Sequence, residues 1–275
     1  MSDTGSDKIF TGSIPEIYDT LLVPLIFEPY AADLARRLAE QPLHRILEIA
    51  AGTGVVTRAM ARALPPDVNI TATDLNAQMI DRARAVGTVR NVEWRPADAI
   101  NLPFGDGTFD AVVCQFGAMF FPDKQKAFSE ARRVLREGGS LLLNVWDRIE
   151  ENEFADAVTK ALASVFPDDP PRFMARVPHG YHNRSVIERD LVAGGFAARS
   201  LLQTVAERSR AASALIPAIA YCQGTPLRNE IEARDRTRLT EATDIAAIAI
   251  ARRFGPGKVN GRIQAHIVTI ERQST

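Results

Sequence analysis

An acidic residue, an alanine and two glycines stand at every second position early in the chain. The stretch "RILEIAAGTGVVTRAM" runs from an apolar strand pattern through Glu48-x-Ala50-x-Gly52-x-Gly54 into a helical pattern. Glycines allow the backbone to approach a ligand closely, because no Cβ stands between them. The acid one turn earlier favours a ligand that carries positive charge. The pattern therefore predicts a ligand-binding turn between a strand and a helix.

Two well-known phosphate-binding turns fit this stretch poorly. A P-loop requires Lys followed by Ser or Thr after its glycines, whereas Val55 and Val56 follow Gly54 here. A dinucleotide fingerprint has a third glycine, and Thr57 stands at that position. An NAD-dependent oxidoreductase is thus disfavoured, although it stays an alternative.

Two further acids follow the next two predicted strands. Asp74 ends "VNITATD", twenty residues after Gly54, where a carboxylate can accept hydrogen bonds from ribose hydroxyls. Asp98 follows "NVEWRPA" at the same expected edge of the sheet. Three acids at one edge suit an adenosine with a cationic tail and no phosphates.

The elements that position these residues alternate between strand and helix. The predicted strands are "RILEIA", "VNITATD", "NVEWRPAD", "FDAVVCQF" and "SLLLNVW"; the predicted helices are "VVTRAMARAL", residues 77–86, and "KQKAFSEARRVLR" ended by Gly138-Gly139. Near-continuous apolar runs are typical of parallel strands covered by helices on both faces. This order predicts a doubly wound α/β sheet with its ligand at the carboxyl ends of the strands.

The flanking regions are less regular. Helical patterns cover residues 14–38, a stretch near Glu153–Val165 and most of residues 210–254, where Pro217 is expected to kink or divide the helix. The Pro-rich residues 166–183 predict a loop, and Ser185 with Glu188 has the spacing of a capping box. "FAARSLLQTVAER" and "GRIQAHIVTIER" predict two more strands.

Composition excludes several classes of function. The formal net charge of −1 over 275 residues argues against a general polyanion binder. Cys114 and Cys222 are too few for a disulfide framework, and the histidines lack the spacing of a zinc site, so we expect no metal. The sequence shows no signal-peptide pattern and no long apolar stretch. We therefore expect a soluble, cytoplasmic protein with no membrane partner.

Four stretches in order resemble the motifs of a known family. "EIAAGTG", "ATDLNAQMI", "PADAINLPFGDGTFDAVVCQF" and "EARRVLREGGSLLL" are similar to the class I S-adenosylmethionine-dependent methyltransferases, most closely the small-molecule branch that includes ubiquinone- and menaquinone-type C-methyltransferases. The resemblance covers about residues 40–147. It implies a Rossmann-like, mostly parallel seven-stranded sheet with an antiparallel last strand, an N-terminal helical lid over residues 1–40, a methyltransferase domain over residues 41–275, and substrate-side insertions near 153–184 and 210–258.

The resemblance also implies a cofactor and the residues that bind it. S-adenosylmethionine would be the methyl donor and S-adenosylhomocysteine the product. The cofactor-binding residues implied are Tyr18, Glu48, Ala50, Ala51, Gly52, Gly54, Asp74, Leu75, Met79, Ala97, Asp98, Ala99, Gln115 and Phe116. Ala50 stands where the family often has glycine, which leaves less room beside the methionine moiety. Met79 equally suits the hydrophobic core.

The acceptor is predicted to be a small, apolar or aromatic metabolite, methylated at carbon or oxygen. The segment after the fourth strand, Gln115–Phe121, is apolar and lacks the Asn/Asp-Pro-Pro-aromatic turn that grips a flipped base, so nucleic acid is a poor candidate. The candidates for the acceptor pocket are Phe27, Met119, Phe120 and Tyr181. A cofactor-binding protein without methyl transfer stays a further alternative, and the chain is expected to be a monomer or a homodimer.

Candidates for a general base are few. His179 and His182 lie in "PHGYHN" and are the two weak candidates, but an exposed or locally hydrogen-bonded pair explains them equally well. Arg172, Arg176 and Arg228 are candidates for binding an acceptor carboxylate.

Overall fold

A single seven-stranded sheet organises the protein. The computed structural model describes residue 7, residues 9–197 and residues 200–273. The strand order is β3-β2-β1-β4-β5-β7-β6. The strands are β1 Arg45–Glu48, β2 Asn69–Asp74, β3 Glu93–Pro96, β4 Phe109–Gln115, β5 Leu135–Trp146, β6 Leu201–Ala211 and β7 Val259–Glu271.

The sheet is parallel except for β7. β1 pairs in parallel with β2 and β4, β2 with β3, and β4 with β5. Along β5 and β7, Gly138 N donates to Arg272 O at 2.8 Å and Asp147 N donates to Gln264 O at 3.0 Å, so the two strands run in opposite directions. The predicted doubly wound sheet with an antiparallel last strand is confirmed.

Helices connect the strands and flank the sheet. The helices are α1 Ile14–Ile17, a π-helical segment Tyr18–Phe27, α2 Glu28–Ala39, α3 Val55–Ala63, α4 Ala77–Val86, α5 Lys124–Val134, α6 Glu153–Val165, α7 Phe173–Arg176, α8 Arg184–Ala193, α9 Leu215–Gln223, α10 Leu227–Asp235 and α11 Leu239–Phe254. Short 3₁₀ turns cover Ala118–Phe120, Ile149–Glu151 and Arg236–Arg238. Every residue of β4 is buried, which explains the apolar run of this central strand.

The chain forms two compact units, each built from separate stretches. The first contains the described residues up to Phe27, then Trp146–Gly180 and Ala206–Gln264. The second contains Glu28–Val145, Tyr181–Val205 and the described residues from Ala265 onward. The second unit holds β1–β4 and most of β5. The predicted lid and substrate-side insertions stay predictions.

Two predicted helix boundaries were wrong. Helix α5 ends at Val134, and Gly138-Gly139 lie inside β5, where three extra residues bulge opposite Phe109 and Ala111. Pro217 neither kinks nor divides a helix, because it lies in the first turn of α9, where its missing N–H has no intrahelical partner to lose. The division falls after Gln223.

Three local predictions also need correction. Helix α8 has no Ser185–Glu188 capping box; the side chain of Asn183 accepts from Ser185 N and Val186 N instead. The Pro-rich loop contains the short helix α7. The predicted strand "FAARSLLQTVAER" begins at Leu201, and its residues 198 and 199 lie outside the described residues.

No helix in the described part of the chain combines the length and hydrophobicity that crossing a bilayer requires. Within the same residues, no cluster of three or more His, Cys, Asp or Glu side chains is arranged to hold a metal ion.

Candidate functional site

The turn between β1 and α3 is fastened to both neighbouring strands. Ile49 N donates to Val113 O in β4 at 2.9 Å, and Ala51 N donates to Thr73 O in β2 at 2.9 Å. Gly54 has a left-handed φ of 82°, and a Cβ built on it would lie 2.6 Å from Trp94 Cη2. Glycine is therefore required here both for the backbone conformation and for the close approach of Trp94.

Two residues of the site adopt a left-handed backbone although they are not glycine. Ala50 has a φ of 54° and Phe116 a φ of 50°, which is rare for a bulky side chain. Phe116 N lies 3.0 Å from Asn144 O and 3.1 Å from Asn144 Oδ1, and its ring packs edge-on against Tyr30 at 5.3 Å. These contacts hold the strained backbone in place, as is common at functional sites.

The strained turns pack against each other without free space. A Cβ built on Gly117 would lie 2.5 Å from the Cβ of Ala50 and 2.8 Å from Cys114 Sγ. The methyl group of Ala50 therefore fills the volume that a side chain at position 117 would need.

Asp74 joins the end of β2 to the glycine turn. Its Oδ2 accepts from Gly52 N at 2.8 Å, and its Oδ1 accepts from Asn76 N at 2.8 Å. Burial raises the pKa of Asp74, while the amide N–H groups of Asn76, Gly52 and Leu75 act in the opposite direction. A carboxylate has about four lone-pair sites, so after these three amide bonds Asp74 can still accept from a ligand hydroxyl.

Glu48 is buried one turn before the glycines. Thr57 Oγ1 donates to its Oε2 at 2.5 Å. Burial raises the pKa of Glu48 to about 8; the Thr57 hydrogen bond opposes this shift and the charge of Asp74 reinforces it. At neutral pH the Glu48 carboxyl is therefore mostly protonated, and a cation bound nearby would favour its ionisation.

The end of β3 lies beside Asp74. Ala97 N donates to Asp74 O at 3.1 Å, which brings the predicted residues Ala97, Asp98 and Ala99 to this edge. Asp98 Oδ1 accepts from Ile100 N at 3.1 Å. Leu75 is 58% exposed, so its side chain is available to a ligand, whereas Met79 is buried in the core.

Two of the residues that hold the turn after β4, Lys124 and Asn144, were not singled out by the sequence. Lys124 Nζ donates to Phe121 O at 3.0 Å and to Met119 O at 3.3 Å, and it lies 4.8 Å from the centre of the Tyr181 ring. Tyr181 is buried, and its hydroxyl donates to Asp190 Oδ2 at 3.1 Å. Gln115 Oε1 accepts from Asn144 Nδ2 at 3.4 Å. The role of Lys124 is visible only in the structure, because in the sequence it is an ordinary residue in the first turn of a helix.

The remaining predicted residues divide between the two units. Tyr18, Phe27 and His179 belong to the first unit, whereas His182 belongs to the second. His179 is buried and lies with Nδ1 2.8 Å from Asp147 O, while His182 is half-buried. The cofactor role of Tyr18 and the acceptor role of Phe27 stay predictions.

Two of the arginines proposed for an acceptor carboxylate are engaged within the protein. Arg176 forms salt bridges with Asp7 at 2.6 Å and Glu230 at 2.8 Å. Arg228 pairs with Glu232 at 2.6 Å and donates to Ser13 Oγ at 2.8 Å. These partners use some of the five N–H donors of each guanidinium, and the acceptor-carboxylate role of all three arginines stays a prediction.

The side chains around the glycine turn, in the second unit, suit an adenosine with a sulfonium tail. The Asp74 carboxylate has lone pairs for ribose hydroxyls, and Asp98 and Glu48 offer further acidic groups near the same strand ends. Thr53 Oγ1 is buried, and within the described residues it has no hydrogen-bond partner. This hydroxyl of the glycine turn is therefore available to hydrogen-bond a polar ligand. S-adenosylmethionine, when bound, supplies an activated methyl group on its sulfonium.

Fold and glycine turn together define a Rossmann-like domain. Residues 47–143 match the family described as "Methyltransferase domain". The chain is 38% identical over 104 residues to the ubiquinone/menaquinone biosynthesis C-methyltransferase UbiE of Pasteurella multocida, which covers 36% of this chain and 39% of that enzyme. The chain spans between 39% and 65% of the length of the UbiE relatives compared with it.

Solved structures extend the likeness in fold to nearly the whole chain. The YcgJ protein from Bacillus subtilis superimposes with a TM-score of 0.57 at 20% identity, over 90% of this chain and all of that one. Phosphoethanolamine N-methyltransferase 2 of Haemonchus contortus, solved with phosphomonomethylethanolamine and S-adenosylhomocysteine, gives a TM-score of 0.54 at 18% identity, over 90% of this chain and 53% of that one.

The resemblance to the class I S-adenosylmethionine-dependent methyltransferases is thereby confirmed. Residues 47–143 match a methyltransferase domain, and S-adenosylmethionine is the cofactor of that class.

Proposed function

We propose that the protein transfers a methyl group from S-adenosylmethionine to a small, apolar or aromatic metabolite, at carbon or oxygen. The observation that carries this proposal is the Gly52 N–Asp74 Oδ2 hydrogen bond of 2.8 Å. It supports the proposal because Asp74, the carboxylate predicted to bind the ribose, lies directly beside the glycine turn.

The protein's task in such a reaction is mainly one of positioning. The donor is already activated, so most of the rate comes from holding the acceptor in line with the methyl group and excluding water. Positioning of this kind is worth about 7–11 kcal/mol in favourable cases. A general base adds to this only if the acceptor must lose a proton.

The apolar turn after β4 supports an apolar or aromatic acceptor. Met119 and Phe121 are buried, and Lys124 is bonded to the carbonyls of both. The similarity to enzymes named as C-methyltransferases of ubiquinone and menaquinone biosynthesis supports carbon as one of the two target atoms.

Isothermal titration with S-adenosylhomocysteine, and separately with NADH, tests the cofactor assignment. We expect micromolar affinity for the first and no binding of the second, because Thr57 occupies the place of the third glycine and is hydrogen-bonded to Glu48. Binding of NADH alone would refute the proposal.

Methyl transfer needs a separate test from cofactor binding. The protein is incubated with a small-molecule cell extract and S-adenosylmethionine that carries a labelled methyl group. Label in an extract compound supports the enzyme; tight cofactor binding with no labelled compound from any extract supports a cofactor-binding protein instead. Cytoplasmic location and a monomeric or homodimeric state remain predictions.

A further inference from the structure

A pocket of about 360 Å³ opens on the second unit beside the end of helix α5. Pockets of about 300–1,000 Å³ are typical of small-molecule sites. All residues that line it belong to the second unit. Six of them are Asp106, Ser129, Arg132, Arg133, Gly195 and Arg272. We call it the arginine pocket, because three arginines line it.

The arginine pocket lies at the edge of the sheet opposite to the glycine turn. Gly107 N donates to Arg133 O at 3.0 Å, so the end of α5 lies beside the turn that leads into β4. The glycine turn instead meets β4 near its other end, at Val113. β4 has seven residues, so its two ends are about 20 Å apart. Arg272 directly follows the antiparallel strand β7 and therefore lies at the same edge as the start of β4. The pocket is thus separate from the candidate cofactor site.

Two glycines after α8 allow the pocket to form. A Cβ built on Gly194 would lie 2.6 Å from Phe128 Cβ, and a Cβ built on Gly195 would lie 3.2 Å from Arg132 Cδ. Gly195 also has a left-handed φ of 91°, which favours glycine. The missing side chains let the end of α8 lie close against α5 and leave Arg132 its place in the pocket wall.

Arg133 and two acids form a closed cluster at one side of the pocket. Arg133 donates to Asp106 Oδ1 and to both carboxylate oxygens of Glu130, each at 2.8 Å. It also donates to Phe104 O at 2.7 Å and to Leu102 O at 3.0 Å. The charge of Arg133 is therefore balanced within the protein, and Asp106 is already paired.

The other two arginines pair with no acid in the described part of the chain. Arg272 Nη1 donates to the carbonyls of Arg132 and Arg133 at 3.1 Å each, and to that of Leu135. These carbonyls carry no net charge. Arg272 Nε is buried without a hydrogen-bond partner among the described residues, and Nη2 makes no hydrogen bond to them either. The guanidinium of Arg132 has neither a salt bridge nor a hydrogen bond within the same residues. Two positive charges at the pocket are thus unbalanced.

The end of α5 is also prepared for an anion. Free carbonyls at the C-terminus of a helix carry partial negative charge and would repel one. Arg272 offsets this effect, because it binds three of the carbonyls at this end. Ser129 and Arg132 are three residues apart, so their side chains share one face of the helix. The exposed Ser129 hydroxyl can therefore donate to the same ligand as Arg132.

A phosphate group matches these donors better than a carboxylate. A guanidinium binds either anion through paired N–H groups. Phosphate on a monoester offers three acceptor oxygens and about two negative charges, which suits donors on three separate side chains. A carboxylate has two oxygens and one charge. The volume of the pocket equals that of about twelve molecules of liquid water, which is more than a bare phosphate ion fills.

We propose that the arginine pocket binds the phosphate group of a small phosphorylated metabolite through Arg132, Arg272 and Ser129. The remainder of the metabolite occupies the rest of the pocket volume. This binding site is additional to the proposed methyl transfer and does not depend on it.

The test is isothermal titration of the full-length protein with glycerol 3-phosphate, inorganic phosphate, acetate and glycerol. We expect saturable binding of glycerol 3-phosphate, weaker binding of inorganic phosphate, and no binding of acetate or glycerol. Added salt should weaken the binding, because the charges face an open pocket. No binding of glycerol 3-phosphate would overturn the site. Equal affinity for acetate would overturn the phosphate class, and equal affinity for inorganic phosphate would overturn the metabolite.

Variants of Arg132 assign the binding to the pocket. Arg132→Gln should lower the affinity for glycerol 3-phosphate about tenfold or more, because a hydrogen bond between charged groups is lost. Arg132→Lys keeps the charge without the paired N–H groups and should fall between the two. Arg62→Gln, the same change at an exposed arginine of α3 outside the pocket, should bind as the wild type does. Wild-type affinity in Arg132→Gln would overturn the inference. Its urea midpoint, expected to be that of the wild type, shows that a loss of binding is not a loss of fold.

Competition with S-adenosylhomocysteine shows where the phosphate binds. Saturation with S-adenosylhomocysteine should leave the affinity for glycerol 3-phosphate unchanged, because the two sites lie at opposite edges of the sheet. Displacement would place the phosphate at the glycine turn and overturn the inference. A protein that binds glycerol 3-phosphate but not S-adenosylhomocysteine would refute the proposed function and keep the arginine pocket.

Discussion

The contact between Ala50 and Gly117 makes a prediction that tests the packing of the candidate site directly. Gly117 has an ordinary backbone, with φ −97° and ψ −36°, so alanine at this position introduces no backbone strain. Its Cβ would nevertheless lie 2.5 Å from the Cβ of Ala50, whereas carbon atoms in contact are normally about 3.5–4.0 Å apart. Gly117→Ala must therefore displace one of the two turns.

The magnitude follows from comparison with a glycine in open space. Gly257 has nothing within 4 Å of its virtual Cβ, so Gly257→Ala changes only the entropy of the unfolded chain, which stabilises by about 0.4–1 kcal/mol. Gly117→Ala makes the same gain but adds overpacking, which costs about 1–3 kcal/mol. We expect the free energy of unfolding of Gly117→Ala to lie about 1–3 kcal/mol below that of Gly257→Ala in urea denaturation.

A second substitution shows whether Ala50 causes the cost. Ala50→Gly removes the opposing methyl and relieves a left-handed alanine, so the double variant should recover part of the loss, with a coupling of about 0.5–3 kcal/mol. Recovery is expected to be partial, because Cys114 Sγ would still lie 2.8 Å away. Equal stability of Gly117→Ala and Gly257→Ala, or strictly additive effects in the double variant, would refute the reasoning.

Three further outcomes are expected. Asp74→Ala should weaken S-adenosylhomocysteine binding by about 1.5–3 kcal/mol, or one to two orders of magnitude in titration calorimetry, while Asp81→Ala on the exposed face of α4 should not; a wild-type affinity in folded Asp74→Ala contradicts the ribose assignment. The raised pKa of Glu48, about 8, means that between about pH 4.5 and 8 the folded state holds a proton that the unfolded state has lost, so this group lowers stability as pH rises through that window. Glu48→Gln should remove that part of the slope, and identical slopes for the two proteins in urea melts at several pH values would disprove the shift. Burial raises the pKa of the thiols of Cys114 and Cys222 to about 12, so a thiol reagent should modify neither in the native protein and both after denaturation; rapid native labelling would contradict their burial.

Much of the sheet could be predicted because its signals are local. Strands β1, β2 and β4 read as apolar runs, and the acids at the ends of β1 and β2 and just after β3 mark the edge where a ligand is predicted to bind. The last strand could be placed as antiparallel only through the family resemblance, since its in/out alternation is equally typical of any edge strand.

The features that escaped prediction depend on contacts between distant residues. Nothing near Phe116 in sequence signals a left-handed backbone, which Asn144 holds from the neighbouring strand. No periodicity in the sequence of Tyr18–Phe27 indicates a π-helix. Within this segment, Pro24 is the residue that argues against a regular α-helix. Asn183 displaced the predicted capping box because it stands one position before α8, where its side chain reaches two N–H groups at once.

The strand order β5-β7-β6 has a consequence for how the chain reaches its fold. β7 is the last of the seven strands to leave the ribosome, yet it lies between the two that precede it. Until residues 259–271 emerge, β5 and β6 have no neighbour on the sides that β7 will occupy, and open strand edges of this kind promote association with other chains. The nascent protein is thus most prone to aggregation late in synthesis. A chain that ends before β7 lacks the strand that connects β5 to β6 in the sheet.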